Sequence, residues 1–444
     1  MARRRKRLSR DLIEAVVGSL SHEGRGIANC DGKVTFIEGA LPGERVTFQL
    51  TNSRKSFDEG KLIEVLEASD DRVEAKCVHY GVCGGCSMQH LSSENQIKHK
   101  QSVLLEQFKH IGGVQPEEVL PPLISPIWGY RRKARIGVKH VPNKGGVLVG
   151  FREKGSPYLA ELTRCDILDP SVGLHLMELR ELIVNLSIKE RIPQIEVAIG
   201  DAVKGLVFRH LVPFSEEDLE RLKNFGAEHQ FVIYLQPKGP DTIHQVYPDT
   251  PAILSYQAGE GEPVLQFSPS DFTQVNASIN KDMVARVLDF LQLSKTDRVL
   301  DLFCGLGNFS LPMAKRASYI LGVEGEAGLV KRARDNADRN GLNNIEFVCA
   351  DLTQDDQLKT IAAGKFNKIL LDPARSGAQE IIEKMIFKGV EQVVYVSCNP
   401  ATLARDAGIL VNDKGYKVIK AGIMDMFPHT AHVESIAVFE RVKK

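Results

Sequence analysis

The sequence predicts an α/β protein in which a doubly wound, largely parallel sheet follows two mostly β regions. From about Asn276, strand-like runs alternate with helical segments, which is the pattern of a parallel sheet with crossover helices. Residues 11–66 and 130–267 are instead rich in strand-like runs. A chain of 444 residues has ample material for several hydrophobic cores. The predicted domains are 1–70, 71–267 and 268–444.

The first region is predicted to form a small, OB-like β-barrel, because its strand-like runs are separated by glycine turns such as Asp31-Gly32. Barrels of this kind often bind oligonucleotides, but other small β-domains give a similar pattern, and fold alone does not fix function. The ten residues that open the chain, MARRRKRLSR, hold six Arg or Lys and no acid. This basic arm is interpreted either as a solvated segment or as one that contacts phosphates.

Composition bounds the class of protein. Lys and Arg together number 57, as do Asp and Glu, which argues against a wholly basic nucleic-acid coat. No run of eighteen apolar residues occurs, and no apolar stretch follows the basic start, so we expect neither a membrane span nor a signal peptide. We therefore expect a cytoplasmic protein without a membrane partner, and separately we expect it to be monomeric. In that reducing compartment the eight cysteines are not expected to form disulfides.

The central region is predicted to be a mostly antiparallel β domain that contains one helix, at about 172–189. Another helix-like segment precedes its strands, from about Glu94 to His110. The strands begin with YRRKARIGVKH, which holds five Arg or Lys in eleven residues. We interpret this strip either as an exposed edge strand or as a surface that faces RNA, beside Trp128 and Tyr130.

Four cysteines of the central region form a candidate metal-binding set. Cys77, Cys83 and Cys86 lie within CVHYGVCGGC, and Cys165 follows far along the chain. Four thiolates suit zinc as well as an iron–sulfur cluster, and the thiols could also be unliganded. The spacing differs from the paired CxxC motifs of a zinc ribbon.

In the C-terminal region, RVLDLFCGLGNFSLPMA is predicted to form a strand, a glycine turn and the start of a helix. Gly305 and Gly307 would let the backbone approach a ligand at the helix N-terminus. Glu324 ends the next predicted strand, where an acid can bind ribose hydroxyls, and Asp351 ends the one after, where it can accept from an adenine amine. The pattern alone also fits a nicotinamide or flavin site, or a tight turn without a ligand, although the GxGxxG typical of a dehydrogenase is absent.

Cys398 follows the strand-like run VVYVS and precedes Asn399-Pro400, which ends the strand. In open α/β sheets, ligands bind at the edge where the parallel strands end. The residue pattern leaves two interpretations of this cysteine, a small hydrophobic residue of the core or a nucleophile. The stretch KILLDPARSG places Asp372 at the same edge, directly after another predicted strand.

The motif D-x-F-C-G-x-G-x-F, with the two acids that follow it, resembles the class I (Rossmann-like) methyltransferases that use S-adenosyl-L-methionine. Four further motifs resemble the RNA uracil-C5 methyltransferase family and occur in the order expected for it. They are FSPSDFTQVN, LDPAR, VSCNPATLARD and PHTAHVESIAVFERV. With the barrel and the four cysteines, the resemblance covers nearly the whole chain, and it implies a class I methyltransferase domain over 268–444.

The resemblance implies a role for each motif residue. Cys398 would be the nucleophile that adds to C6 of the target uracil, which turns C5 into an enolate carbon able to take a methyl group. Glu434 would be the base that then removes the C5 proton, and Asp372 would hydrogen-bond the target ring beside the cofactor. His429 and His432, which flank the base, are expected to be structural. The implied S-adenosyl-L-methionine contacts are Gln274, Phe303, Asn308, Glu324, Asp351 and Asp372.

The N-terminal features narrow the resemblance. The barrel resembles a TRAM domain, an OB-like RNA-binding module, and the spacing of Cys77, Cys83, Cys86 and Cys165 resembles the branch of the family that carries a [4Fe–4S] cluster. Together they are similar to the branch that methylates 23S rRNA, whereas the tRNA-directed relatives typically lack both. A tRNA uracil-C5 methyltransferase and a non-catalytic RNA-binding iron–sulfur protein are the alternatives. The target uridine is expected to be single-stranded or flipped out of its stack.

Overall fold

The computed structural model describes residues 11–142 and 146–442, and these form two compact units. The first unit contains the described residues up to Val103, together with Glu153–Ser156 and Phe427–His432. The second unit contains the remaining described residues. The division into three domains stays a prediction. None of the described helices is both long and apolar enough to cross a membrane.

The predicted N-terminal strands are confirmed as a six-stranded sheet in the first unit. The strands are β1 Ile13–Val16, β2 Ser19–Leu20, β3 Gly26–Cys30, β4 Lys33–Glu38, β5 Arg45–Ser53 and β6 Phe57–Glu67. Their order is β1-β5-β6-β4-β3-β2, and apolar side chains such as Ile37, Val46 and Phe48 form the core. The predicted basic arm at 1–10 lies outside the described residues.

The helix predicted near 94–110 is confirmed, because α1 spans Ser93–Gln107 and continues into a π-helical turn, Phe108–Gly112. The short strand β7, Glu118–Val119, follows. The central strands are β8 Lys133–Val141, β9 Gly146–Gly150, β10 Gln194–Ile199, β11 Lys204–Arg209, β12 Val232–Gln236 and β13 His244–Tyr247. They form a sheet of order β13-β12-β11-β10-β8-β9, in which β11 and β12 are parallel and the other neighbours antiparallel.

The prediction of a single helix among these strands is wrong. Two short helices, α2 Pro170–Gly173 and α3 Leu176–Val184, occupy the predicted place, and α4 spans Glu216–His229. The hydroxyl of Ser215 caps α4 by accepting from the Asp218 N–H at 3.1 Å. Strands β11 and β12 pair in parallel, which needs a crossover segment, and α4 supplies it.

The predicted doubly wound sheet is confirmed in the C-terminal region. A hairpin, β14 Ser255–Gln257 and β15 Val264–Gln266, precedes it. The sheet strands are β16 Arg298–Leu302, β17 Tyr319–Glu324, β18 Ile345–Cys349, β19 Lys368–Leu371, β20 Gln392–Ser397, β21 Tyr416–Met424 and β22 Glu434–Arg441. With β7 at one edge, the strand order is β18-β17-β16-β19-β20-β22-β21-β7.

Strands β16 to β20 are parallel, and β22 runs antiparallel beside β20. Helix α5, Ala277–Leu291, precedes β16. The connecting helices are α6 Ser310–Ala314, α7 Ala327–Arg339, α8 Asp355–Ala362, α9 Gln379–Lys384 and α10 Pro400–Asn412. The strands read as buried apolar runs, as in β20, where Val393, Val394 and Tyr395 are fully buried. The parallel strands therefore end at one common edge of the sheet, where the site is found.

Candidate active site

Two strands bring Cys398 and Glu434 to neighbouring positions. The antiparallel ladder between β20 and β22 ends where Ser397 pairs with Ser435. Cys398 is the next residue after Ser397, and Glu434 is the residue just before Ser435, so the two follow as the next facing positions. The Ser435 hydroxyl donates to the Ser397 carbonyl at 3.2 Å and fixes the end of the ladder. The register of the sheet thus unites residues 36 positions apart in the sequence.

The loop that carries Cys398 is held by Asn399. The Asn399 side chain accepts from the Ala401 N–H at 3.1 Å and so caps α10, which begins with Pro400. Its amide nitrogen donates to the Arg375 carbonyl at 3.0 Å, and the Thr402 hydroxyl donates to that carbonyl at 3.3 Å. These bonds join the Cys398 loop to the loop that follows β19, which begins with Asp372.

Asp372 and Glu434 are carboxyl groups with raised pKa values. Burial raises the pKa of Glu434 to about 8; the nearby Asp372 carboxylate also raises it, and Arg375 lowers it. Burial raises the pKa of Asp372 to about 7. Glu434 is only 8 % exposed, which explains why water does not stabilise its charge. At neutral pH this pair therefore retains protons that ordinary carboxyl groups release.

Cys398 is half-buried and shares this environment. Burial, together with the charges of Glu434 and Asp372, raises the pKa of its thiol to about 11, whereas Arg375 lowers it. Arg375 was not given a role by the sequence, although it belongs to the LDPAR motif. The folded loops bring Arg375 near both Cys398 and Glu434. Its positive charge favours the anionic form of either group.

The glycine turn after β16 has the predicted open geometry. Phe303 has a φ of +67°, and its N–H donates to the Val323 carbonyl at 2.9 Å. A Cβ added at Gly305 would meet no atom within 4 Å, so space lies beside this turn. Glu324, the last residue of β17, accepts from the Gly305 N–H at 3.2 Å and from the Gly325 N–H at 2.7 Å. Two predicted cofactor residues, Phe303 and Glu324, therefore lie at one turn.

Asp351 lies two residues beyond β18 and is exposed. It accepts from the N–H and the hydroxyl of Thr353 at 3.0 and 2.7 Å, and these hydrogen bonds lower the pKa of its carboxyl. Asn308 exchanges amide hydrogen bonds with Asn280 at 3.0 and 2.9 Å and accepts from the Tyr256 hydroxyl at 3.0 Å. Gln274 lines a small cavity of about 20 Å³ that Asn280 and Tyr256 also line.

None of the four predicted metal ligands takes part in a disulfide bond. Cys77, Cys83 and Cys86 lie in the first unit and Cys165 lies in the second. Burial raises the pKa of Cys83, and the charge of Cys77 raises it too. Within residues 11–142 and 146–442, no group of three or more His, Cys, Asp or Glu is arranged to hold a metal ion. The structure therefore has the donor set but not an assembled metal site.

The basic strip YRRKARIGVKH forms β8 and the residues before it. The interpretation of this strip as an edge strand is wrong, because β8 lies between β10 and β9. Arg132 is paired with Asp201 at 2.6 Å, and Lys133 donates to a backbone carbonyl, so neither faces solvent freely. Arg135 and Lys139 line a groove of about 870 Å³ that also includes Arg152 and Tyr158. The alternative interpretation, that the strip faces RNA, stays a prediction.

Two family models match the chain. Residues 257–442 match the model described as tRNA (Uracil-5-)-methyltransferase, and residues 6–63 match the TRAM domain. The first match contains all the predicted catalytic and cofactor residues, and the second covers most of the N-terminal sheet.

Close relatives span the chain from end to end. The 23S rRNA (uracil(1939)-C(5))-methyltransferase RlmD of Alkalilimnicola ehrlichii is 55% identical over 441 residues, 99% of each chain. The RlmD proteins of Francisella tularensis subsp. novicida and Hahella chejuensis are 50% and 51% identical, over 99% of this chain and 99% and 100% of theirs. The crystal structure of Pyrococcus abyssi tRNA (uracil-54, C5)-methyltransferase in complex with S-adenosyl-L-homocysteine has a similar fold. Its TM-score is 0.74 at 22% identity, over 96% of this chain and 100% of that one.

Proposed function

Since this chain belongs to the RlmD family of 23S rRNA (uracil(1939)-C(5))-methyltransferases, we propose that it modifies its uridine through a covalent Cys398 adduct, with Glu434 as the base. The chain is an S-adenosyl-L-methionine-dependent rRNA uracil-C5 methyltransferase. The observation that supports the covalent mechanism is the end of the β20–β22 ladder, where Cys398 and Glu434 occupy neighbouring positions.

The chemistry requires both side chains because uracil C5 is a weak nucleophile. The Cys398 thiolate adds to C6 and forms an S–C6 bond, which moves the electron pair onto an enolate that includes C5. The methyl group that S-adenosyl-L-methionine supplies when bound is transferred to C5. Glu434 then takes the C5 proton, the C5–C6 double bond re-forms, and the S–C6 bond breaks to release the thiolate.

The charges of the site suggest an order for the two groups. With a pKa of about 11, Cys398 rests as a thiol, and with a pKa of about 8, Glu434 rests largely protonated. A neutral Glu434 does not oppose the ionisation of Cys398, whereas an ionised Glu434 does. Glu434 must release its own proton before it can accept the C5 proton, and formation of the S–C6 bond favours this release because it removes the negative charge of the Cys398 thiolate. Arg375 lies where it can balance either anion.

The cofactor is proposed to bind along the ends of β16, β17 and β18. Glu324 would accept from the ribose hydroxyls, as acids in this place do in sheets of this type. Asp351 would accept from the adenine amine. The space beside Gly305 fits a ligand that approaches the turn closely. The other proposed contacts to the cofactor are made by Phe303, Asn308, Gln274 and Asp372.

The RNA substrate is proposed to present its uridine outside a helix. Cys398 follows a buried strand, so a base that stays stacked in a duplex cannot reach it, and the uridine must be single-stranded or flipped out. The TRAM domain in the first unit is a further RNA-binding module. We propose that the enzyme works as a monomer, in the cytoplasm, where its ribosomal RNA is found.

The substrate is tested with 23S rRNA that lacks the modification. Incubation with the protein and S-adenosyl-L-methionine should produce 5-methyluridine at the position equivalent to 1939, which mass spectrometry of RNA fragments identifies. Unmodified tRNA in a matched reaction is the control. 5-Methyluridine in tRNA but not in 23S rRNA would support the tRNA-directed alternative instead.

A [4Fe–4S] cluster is proposed from the chemistry of the donor set. Cys77, Cys83, Cys86 and Cys165 supply four thiols outside any disulfide, and four thiolates are the ligands such clusters take. A bound cluster would cross-link these four positions of the chain, and no catalytic step is assigned to it.

Protein purified without oxygen should be brown and contain iron and sulfide. Cys83→Ser should remove the brown colour. Cys30→Ser is the control, because Cys30 lies in β3 outside the motif, and this variant should keep the colour. Metal binding is coupled to folding, so Cys83→Ser should also lower stability. Colourless protein with stoichiometric zinc would overturn the cluster.

A further inference from the structure

The segment Phe427–His432 connects two strands of the methyltransferase sheet yet belongs to the first unit. It follows β21 and ends two residues before Glu434, the first residue of β22. Loops between strands usually lie at the surface, but His429 and Thr430 are buried, at 4 % and 7 % exposed. Residues of α1 and of the loop before it surround this segment.

Gln96 of α1 joins the segment to its surroundings. Its side-chain oxygen accepts from the His429 N–H at 2.9 Å. Its amide nitrogen donates to the carbonyls of Met88 and Leu91 at 2.9 and 2.8 Å. Gln96 is 2 % exposed, so these bonds form away from water, where each lost partner is costly. One side chain therefore fixes both the segment and the loop that follows Cys86.

Further hydrogen bonds hold the segment along its length. The His429 carbonyl accepts from the N–H groups of Ser87 and Met88, both at 2.9 Å. The Ala431 N–H donates to the Ser87 hydroxyl at 3.2 Å. Lys100, only 1 % exposed, donates from its ammonium group to the Phe427 carbonyl at 3.0 Å. The backbone of the segment is thus bound at both ends and in the middle.

The backbone conformation of His429 indicates that these contacts impose a shape. Its φ is +66°, in the left-handed region that non-glycine residues rarely adopt. Such conformations persist where the surroundings determine them, and they cluster at functional sites. The strained residue lies five positions before Glu434.

We propose that Gln96 and Lys100 are positioning residues that hold Glu434 in place for removal of the C5 proton. The inference rests on the proposed covalent mechanism. Only Val433 separates the held segment from Glu434, the first residue of β22, so a shift of the segment is passed along the chain to the base. Cys398 lies on a different loop, which Asn399 joins to Arg375, so its addition to C6 does not depend on the segment. Loss of Gln96 or Lys100 should therefore slow the last step more than the first ones.

Methyl transfer and removal of the C5 proton can be measured separately within one turnover. With RNA that carries tritium at C5 of uridine, methyl incorporation reports adduct formation and transfer, and tritium release reports proton removal. Gln96→Met and Lys100→Met keep the side-chain length but remove the polar contacts. We expect each to lower the rate of tritium release relative to methyl transfer about tenfold, because small displacements of reacting groups cost this much or more. Both rates come from the same folded molecules, so a variant that merely loses folded protein keeps the ratio.

Gln89→Met is the matched control. Gln89 is equally buried in the first unit, but its oxygen accepts from the Cys77 N–H and not from the segment, so the ratio should stay normal. Glu434→Gln is the reference and should lower the ratio most. A normal ratio in both Gln96→Met and Lys100→Met, beside a lowered one in Glu434→Gln, would overturn the positioning role alone. A normal ratio in Glu434→Gln would overturn the proposed base itself.

Discussion

Two halves of the same sheet edge place carboxyl groups in opposite environments. At the ends of β17 and β18, Glu324 accepts backbone N–H groups, and Asp351 is exposed with a pKa lowered by the hydrogen bonds from Thr353. At the ends of β19 and β20, burial raises the pKa of Asp372 and that of Glu434, which begins β22. The first half suits ionised acceptors for a cofactor, and the second suits groups that exchange protons.

Burial, rather than the position along the edge, decides this difference. Asp301 belongs to β16 in the cofactor half, but it is fully buried, and burial raises its pKa to about 8. The strands thus end at similar positions along the sheet edge, and the loops that follow them determine which carboxyl groups are exposed to water. The positive charge of Arg375 lowers the pKa values of both Cys398 and Glu434.

The largest effect is expected at Cys398. Cys398→Ala removes the nucleophile of the catalytic half and should lower methyl transfer by at least about 10⁴-fold, as loss of a covalent nucleophile does in other enzymes. The affinity for S-adenosyl-L-methionine, measured by calorimetry, should stay within about twofold. A large loss of cofactor affinity would show that the catalytic half of the sheet edge also contributes to cofactor binding.

An intermediate effect is expected at Glu324. Glu324→Gln replaces a charged acceptor with a neutral one and should weaken S-adenosyl-L-methionine binding by about tenfold to 100-fold, since hydrogen bonds to charged groups contribute roughly 1.5–3 kcal/mol. The ratio of tritium release to methyl transfer should not change. Glu326→Gln, an exposed neighbour on the same edge, is the control. Unchanged affinity in Glu324→Gln would remove Glu324 from the cofactor site.

The smallest effect concerns stability. The folded-state pKa of Glu434, about 8, lies above its ordinary value of 4.5, so the folded protein keeps a proton that the unfolded chain releases between these values. The contribution of Glu434 to the free energy of unfolding therefore falls as pH rises from about 5 to 8. Glu434→Gln removes this penalty, and its gain in Tm over the unsubstituted protein should be larger at pH 8.5 than at pH 5.5, by a few degrees.

Thermal unfolding at the two pH values measures that difference. Glu440→Gln, an exposed glutamate of the same strand, is the matched control. An equal Tm difference at both pH values would show that the Glu434 carboxyl does not hold an extra proton, and the contrast between the two halves would lose its main support.

Much of the sheet and its edge could be predicted because local patterns determine them. Runs such as VVYVS and KILL are continuous and apolar, and each ends at a polar or strand-breaking residue, which places Cys398 and Asp372 at strand ends. Helix α4 was missed although Ser215 and Asp218 form a capping pair, because only the parallel pairing of β11 and β12 makes a helix necessary there.

The role of other residues depends on contacts that sequence patterns do not contain. Arg375 reaches Cys398 and Glu434 only through the fold of two loops. Gln96 contacts His429 across 333 positions of the chain, so no local pattern connects them. The same holds for the register of β20 and β22, which resemblance to a family could imply but periodicity could not.

The central claim, that Cys398 and Glu434 act in sequence on one uracil, is tested most directly with Glu434→Gln. This variant should form the S–C6 bond and transfer the methyl group but stall before elimination. Protein joined to methylated RNA should then survive denaturing gel electrophoresis and disappear in the Cys398→Ala, Glu434→Gln double variant. A folded Glu434→Gln protein that never forms the adduct, or one that turns over at the normal rate, would contradict the account.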